Sequence, residues 1–226
     1  MSEITNNAGW VTISEDSGEG NTSIVATINE RNTSRNTRTA VLKGTTAHGA
    51  EAVANIVQAS KGEYVVFDPA TYEMANGATS VTLTGKSNSK RLTFSLPAAA
   101  SVGQTLFLAL PASFTATQGS SSQNSTNGQD LPNDYGAVGE YNFSITLTTV
   151  DAGSPNNERV EMVYVESYGG ARATASVHQA GIASTILFDG QENKTYDVTN
   201  KQVGQTQTIN IGVTPNGEGW TLAFDE

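Results

Sequence analysis

The sequence predicts an all-β chain of antiparallel β-sandwich units, and three observations carry that expectation. Thr, Ser, Asn and Gly make up two-fifths of the 226 residues, beside an apolar fraction of 37% and only six prolines. That mixture suits short strands joined by many turns. Apolar side chains alternate with polar ones at period two, the signature of a half-buried strand. The chain also repeats itself, with a long offset typical of tandem units.

The repeat fixes the organisation. At an offset of 121, residues 18–59 lie over 139–180 without a gap, and 14 of 42 positions are identical. Gly18-Glu19 falls on Gly139-Glu140, Arg38 on Arg159, Gly49-Ala50 on Gly170-Ala171, and Gln58-Ala59 on Gln179-Ala180. The same offset places Val66-Phe67-Asp68 over Leu187-Phe188-Asp189, and an offset of 210 places Gly9-Trp10 over Gly219-Trp220. One unit therefore starts at a Phe-Asp strand, passes a Trp strand and ends at Gln-Ala. Residues 1–61 hold the second part of a unit, 62–182 a complete one, and 183–226 the first part of another.

Taken in order, each element follows from local pattern. Trp10 to Ser14 reads as a strand after a Gly, and Ser17-Gly-Glu-Gly20 as a turn. Arg38 leads a strand into Thr-Ala-Val-Leu. Ala50–Ala59 has helical propensity of its own, but its repeat partner Ala171–Ala180 carries Thr and Val, so both are expected to be strands. Leu92, Phe94 and Leu96 alternate with polar residues, as do Phe143, Ile145 and Leu147, and then Ile209, Ile211 and Val213. Ala98–Ala100 is the one place where a helical turn could start. Gln118–Gly128 is low in complexity and reads as a loop, within an insertion over 119–137 if Phe114 takes the place of Trp10. Helix below about 10% is expected, against the roughly 30% of an average soluble protein.

Composition excludes several functions. No stretch approaches the roughly 20 apolar residues that span a bilayer, so no membrane insertion is expected. Met1–Glu15 is polar and acidic, which reads as no secretory leader. A formal charge of -10 opposes a phosphate backbone, so nucleic acid is not an expected partner. With no cysteine there are no disulfides, thiol nucleophiles or thiolate metal sites.

The units resemble the BACON domain, a family of Ig-like β-sandwiches associated with Bacteroidetes and carbohydrate binding. The residues that carry the likeness are the Gly9-Trp10-Val-Thr-Ile-Ser14 strand, the Ser17–Gly20 turn and the Val/Thr strand after it. An Asn follows, then the Arg38 strand and the closing strand that ends in Gln58-Ala59. The likeness is good over 9–61, fair over 139–181 and partial over 184–226, and it concerns folding residues rather than catalytic ones. It implies Ig-like antiparallel sandwich repeats. Similar domains without a leader occur in virion proteins of crAss-like phages. By analogy the chain is expected to be a non-enzymatic structural virion protein, a capsid-attached head fibre or decoration protein on the particle exterior, with weak glycan adhesion as an accessory property. The alternative is a carbohydrate-binding module without a role in the particle. Expected partners are other virion proteins, copies of the same chain through the half units, and host-surface or mucus glycan.

Catalytic chemistry finds little support. His48 and His178 are not equivalent under the repeat, and no orienting carboxylate is recognisable beside either. Asp151–Glu158 lacks the spacing of a calcium loop and reads as Asx turns. Asp68 and Asp189 are repeat equivalents at strand ends rather than a glycosidase pair. No catalytic, cofactor or metal residues are assigned. For glycan or partner contact the candidates are Tyr135 and Tyr168 as free aromatics, Asp130 and Asp134 in the inserted segment, and Arg31 and Arg35, which could meet an acidic partner.

Overall fold

The computed structural model describes residues 2–98, 106–183, 185–192, 194–196 and 205–214, and its regular structure is almost wholly β. The first stretch carries β1 (Ser2–Asn6), β2 (Val11–Ile13), β3 (Ser17–Gly18), β4 (Ala26–Ile28), β5 (Arg38–Thr45) and β6 (Glu51–Gln58). The central stretch carries β7 (Val65–Phe67), β8 (Thr71–Met74), β9 (Ser80–Ser87), β10 (Leu92–Ser95), β11 (Leu108–Ala109), β12 (Ser113–Gln118), β13 (Ser121–Thr126), β14 (Tyr141–Thr149), β15 (Arg159–Ser167) and β16 (Arg172–Gln179). β17 (Thr185–Phe188) and β18 (Ile211–Thr214) follow. The only helical element among the described residues is a 3-10 turn at Tyr135–Ala137. Ala99-Ala100 and Trp220 lie outside the described residues.

The central stretch is an Ig-like sandwich of two sheets. One sheet runs β13-β12-β14-β9-β7, with β11 also on β14, and the other runs β10-β15-β16-β8. All these pairs are antiparallel except β8, which lies parallel to β16. Alternation decides the layers: Phe143, Ile145 and Leu147 of β14 and Val163 and Val165 of β15 point inward and are buried. Four phenylalanines hold the centre, with Phe143 set edge-on to Phe67 and Phe94, and Phe94 edge-on to Phe114. Gly85 makes room for them, since a Cβ there would lie 2.3 Å from the Phe143 ring and 2.1 Å from the Val66 carbonyl oxygen.

The first stretch repeats part of this architecture. β5 and β6 pair from Arg38↔Gln58 to Thr45↔Glu51, the register in which β15 and β16 pair from Arg159↔Gln179 to Glu166↔Arg172. Ala50–Ala59 is thus a strand as its repeat partner required, because pairing to β5 outweighs the helix propensity of its alanines. β2 pairs Val11↔Ile28, as β11 pairs Leu108↔Thr149.

Two sequence expectations are corrected here. Gln118–Gly128 is mostly a strand rather than a loop: β12 and β13 form a hairpin from Ser113↔Thr126 to Gln118↔Ser121, turning at Gly119, whose φ is +58°. Its Ser/Gln/Asn composition reflects an edge strand with one face in solvent. The counterpart of Trp10 is Phe107, not Phe114. Both Trp10 and Phe107 are buried, and each carries the repeat arginine over its ring, Arg38 at 4.5 Å and Arg159 at 4.2 Å from the centroid. Residues 110–146 therefore stand where 13–25 stand in the first stretch.

Candidate functional site

The densest polar constellation lies where the first stretch meets the central sandwich. The loop of residues 30–37 is fixed from within by Asn32. Its Nδ2 donates to the carbonyls of Asn36 (2.7 Å) and Ala59 (3.1 Å), and its Oδ1 accepts from the Ser34 amide (3.1 Å) and hydroxyl (2.7 Å). Asn32 and Ser34 are buried, so the loop is a preformed block rather than a tether.

That block docks on the sandwich through main chain and side chain alike. The Arg35 amide donates to the Gly136 carbonyl (3.1 Å) and the Glu140 amide to the Thr33 hydroxyl (3.2 Å). Asn88, fully buried after β9, is the hub. Its Nδ2 donates to the carbonyls of Gly62 (2.6 Å) and Thr33 (3.2 Å), and its Oδ1 accepts from the Tyr64 amide (2.9 Å). Arg35 forks onto the Asp134 carboxylate and also reaches the Asn88 carbonyl (3.3 Å). Gly136 permits the contact, since a Cβ there would lie 1.8 Å from the Asn88 carbonyl oxygen and 2.7 Å from the Arg35 guanidinium. Beside it the Tyr64 hydroxyl donates to Glu140, which also faces Lys61 (3.6 Å) and Lys86 (3.9 Å). The hydrogen bond from Tyr64, then the two lysines, hold the Glu140 carboxyl below its ordinary range.

The candidate residues fall at this end of the sandwich, and all but Arg31 have a partner within the chain. Arg35 and Asp134 answer each other, so Arg35 meets its acidic partner internally. Tyr135 is half-buried with its ring centroid 6.2 Å from that of Tyr141, which makes it part of the core margin rather than a free aromatic. Asp130 pairs with Lys90 (3.0 Å) and Arg91 (3.8 Å). Tyr168 is 53% exposed, with Lys90 3.9 Å and Arg91 4.6 Å from its ring centroid, so two cations of the chain already pack against this ring. Arg31 is exposed in the same loop as Arg35.

Sequence reasoning missed Asn88 and Gly136 as joint residues and half-read a second constellation that recurs in both units. Arg159 stacks on Phe107, bonds the side-chain oxygen of Gln179 through Nε (2.9 Å) and Nη2 (2.7 Å), and forks onto Asp151 (2.5 and 2.9 Å). In the first stretch Arg38 stacks on Trp10, bonds Gln58 (2.8 Å) and the Glu30 carbonyl (2.8 Å), with the Glu30 carboxylate 3.8 Å away. Glu30 and Asp151 are repeat equivalents. The repeat in sequence carried the signal for three of the four positions of this latch, of which Arg and Gln are identical and the acid is conservatively exchanged, but not for the aromatic, which lies off the 121 offset.

Among the described residues the remaining titratable groups form no chemistry-bearing cluster. His178 does have a carboxylate beside it, Glu158 at 3.2 Å, which the sequence did not reveal. The pair sits on the outward face of β16 with no nucleophile in contact. Asp151 caps its own turn by accepting from the Gly153 amide (2.8 Å), the Asx turn expected of that segment. Among the described residues no three His, Asp or Glu side chains come close enough to hold a metal ion.

No protein-family model and no curated protein matches the sequence. Among solved structures, the chain is similar to the extracellular domain of protocadherin γB4 (15% identity over 83% of this chain and 28% of that one, TM-score 0.34). It is also similar to Drosophila N-cadherin EC1–4 (10% identity, 80% and 41%, TM-score 0.30). An endo-fucoidan hydrolase of glycoside hydrolase family 107 matches at 11% identity and a TM-score of 0.27. These neighbours are mostly cadherin-like Ig-type sandwiches, and the chain spans less than half the length of the three named.

Proposed function

We propose that the chain is a non-enzymatic structural protein of BACON-type Ig-like units, mounted on the exterior of a phage particle as a head fibre or decoration protein. The observation that supports this reading best is the joint. Successive units are locked by a preformed loop, a buried asparagine hub and a forked ion pair, which is what a load-bearing array needs and an isolated binding module does not. Of the side chains expected to recognise glycan, Arg35, Asp130, Asp134 and Tyr135 are held within the chain and Tyr168 carries two cations, which supports glycan adhesion only as a weak, secondary property.

Immunogold labelling and proteomics of purified particles test the assignment. Stoichiometric presence on the capsid exterior is the expected result, and absence from particles overturns it. A glycan array run with the isolated chain separates the rival module: strong binding lost on Tyr168→Ala would favour carbohydrate recognition as the main role.

A further inference from the structure

The first unit has an unfilled side, and the other end of the chain carries what fits it. Nothing in residues 2–61 stands where β7, β8 and β9 stand in the central sandwich. The consequences are visible at each place those strands would touch. Among the described residues the outer edge of β6 has no strand beside it, whereas the edge of its counterpart β16 holds β8 in parallel from Ser176↔Thr71 to Gln179↔Met74. Ala54 is exposed and Ile56 part-exposed, while their counterparts Ala175 and Val177 are 1% and 0% exposed. Residues 20–25 are not strand, although their counterparts open the nine-residue β14, which pairs with β9 from Tyr141 to Thr148. A groove of about 370 Å³ opens among Ile4, Ile24, Gly44 and Ala52.

The β17–β18 hairpin has the geometry of the missing piece. Phe188 pairs with Ile211 as Phe67 pairs with Gly85, and the next amide bonds back alike, Asp189 to Asn210 (2.8 Å) and Asp68 to Thr84 (3.0 Å). Its apolar residues are bare where the central ones are covered: Ile209 is 44% exposed against 0% for Leu83, and Ile186 39% against 4% for Val65. Thr195-Tyr196 repeats Thr71-Tyr72 of β8 in sequence. Laid on the first unit in the β9–β14 register, Ile209 faces Ile24 as Leu83 faces Ile145. Ile211 faces Thr22 where Gly85 faces Phe143, so a large residue opposite a small one is kept with the sides exchanged.

The hairpin cannot reach the first unit of its own chain. That unit docks at the end of the sandwich marked by Asn88 and Gly136. The chain leaves at the opposite end, where the Asn76 side chain bonds the Ala180 carbonyl (3.2 Å) and the Ile182 amide bonds Pro155 (3.1 Å). β9 and β14 pair over eight residues between these ends, a span of about 25 Å. The three steps from Ile182 to Thr185 cover at most about 10 Å.

We propose that the β17–β18 hairpin of one copy completes the first unit of a second copy, taking the places of β7 and β9 and adding main-chain pairing to residues 20–25, with Thr195-Tyr196 beside β6. The contact is head-to-tail, so each copy donates at one end and accepts at the other, and the assembly grows into a filament or a ring. The inference deepens the structural reading but stands apart from particle location, since the chain can assemble without being a virion protein and the reverse.

Sedimentation velocity on the 226-residue chain, with Ile209→Asp disabling the donor and Ile56→Asp the acceptor, tests it. Wild type should form multimers that lengthen with concentration, and each variant alone should stay monomeric. An equimolar mixture of the two should regain a dimer and nothing longer, which a merely misfolded variant would not do. The cysteine-free background allows a second measurement: Ser23→Cys chains mixed with Asn210→Cys chains should cross-link into heterodimers on oxidation. A wild-type monomer at all concentrations, multimers that survive both substitutions, or a double variant that cross-links only within one chain would overturn the proposal.

Discussion

Arg159 shows how much one repeated residue can hold together. Its guanidinium is shared between a ring, a buried amide and a carboxylate, and the amide of Gln179 in turn donates to the carbonyls of Ala78 and Gly153 (2.8 Å each). Gln179 is fully buried, so its truncation leaves the Ala78 carbonyl unanswered, the Gly153 carbonyl with only the Gly77 amide, and Arg159 with only Asp151 and the Phe107 ring. Gln179→Ala should destabilise the central unit by about 2–4 kcal/mol in chemical denaturation, because unpaired buried groups carry their full desolvation cost. Gln58→Ala should cost about 1 kcal/mol or less, since Gln58 donates instead to Glu30 (3.2 Å) near solvent. Equal effects would show the two latches to be energetically alike. Two acids of the central unit titrate in opposite senses. The hydrogen bond from Arg159, then that from Gly153, holds Asp151 down at about 2, so its contribution is present above the ordinary aspartate value and lost as pH falls toward 2. Burial raises Glu161, against the opposing amides of Phe107 and Leu108, so ionising it destabilises the fold and the unit gains stability as pH falls from neutral toward the ordinary glutamate range. The melting temperature should therefore pass through a maximum in weak acid. Glu161→Gln should flatten the limb above the maximum and Asp151→Asn the limb below it.

At the scale of elements, the β12–β13 hairpin is the segment whose role differs most from its composition. Phe114 and Ala116 of β12 are buried, and Leu131 beyond the hairpin is 6% exposed, so the insertion supplies core as well as surface. Phe114→Ala should cost about 3–4 kcal/mol in the unfolding of the central unit, and a loss below about 1 kcal/mol would return the segment to the status of a decorative loop. The strands that were legible in the sequence are those with one face in water: β10 and β14 alternate cleanly because water and core impose opposite demands on neighbouring residues. The hairpin was illegible because an edge strand of Ser, Gln, Asn and Thr satisfies the same composition as a loop. Phe107 was illegible as the counterpart of Trp10 because the two match only in being aromatic under an arginine. Of the candidate site, the residue types were readable and their pairing was not. Arg35 and Asp134 stand 99 residues apart, and only the docking of two units brings them together.

For the whole molecule the decisive question is whether the first unit and the sandwich move as one. The joint's hydrogen bonds run mostly between main chain and small polar side chains, which fixes the distance between units. The fork of Arg35 on Asp134, with side chains 19% and 39% exposed, fixes the angle. A partly exposed pair of this kind contributes about 1 kcal/mol, less than a buried network but enough to hold one orientation roughly four-fifths of the time. Salt should loosen it, whereas salt should favour contacts between copies that each carry a formal charge of -10. Joint and assembly therefore respond to ionic strength in opposite directions. Arg35→Ala in an assembly-blocked Ile209→Asp background should broaden the distance distribution from small-angle X-ray scattering without lowering the melting temperature of the central unit by more than a degree or two. Asn88→Ala removes the hub instead, leaving the Tyr64 amide and the carbonyls of Gly62 and Thr33 unanswered, and should lower that temperature and broaden the distribution together. A distribution unchanged by Arg35→Ala at low salt would mean that the buried asparagine alone sets the angle, and the ion pair would then be a surface contact of no mechanical consequence.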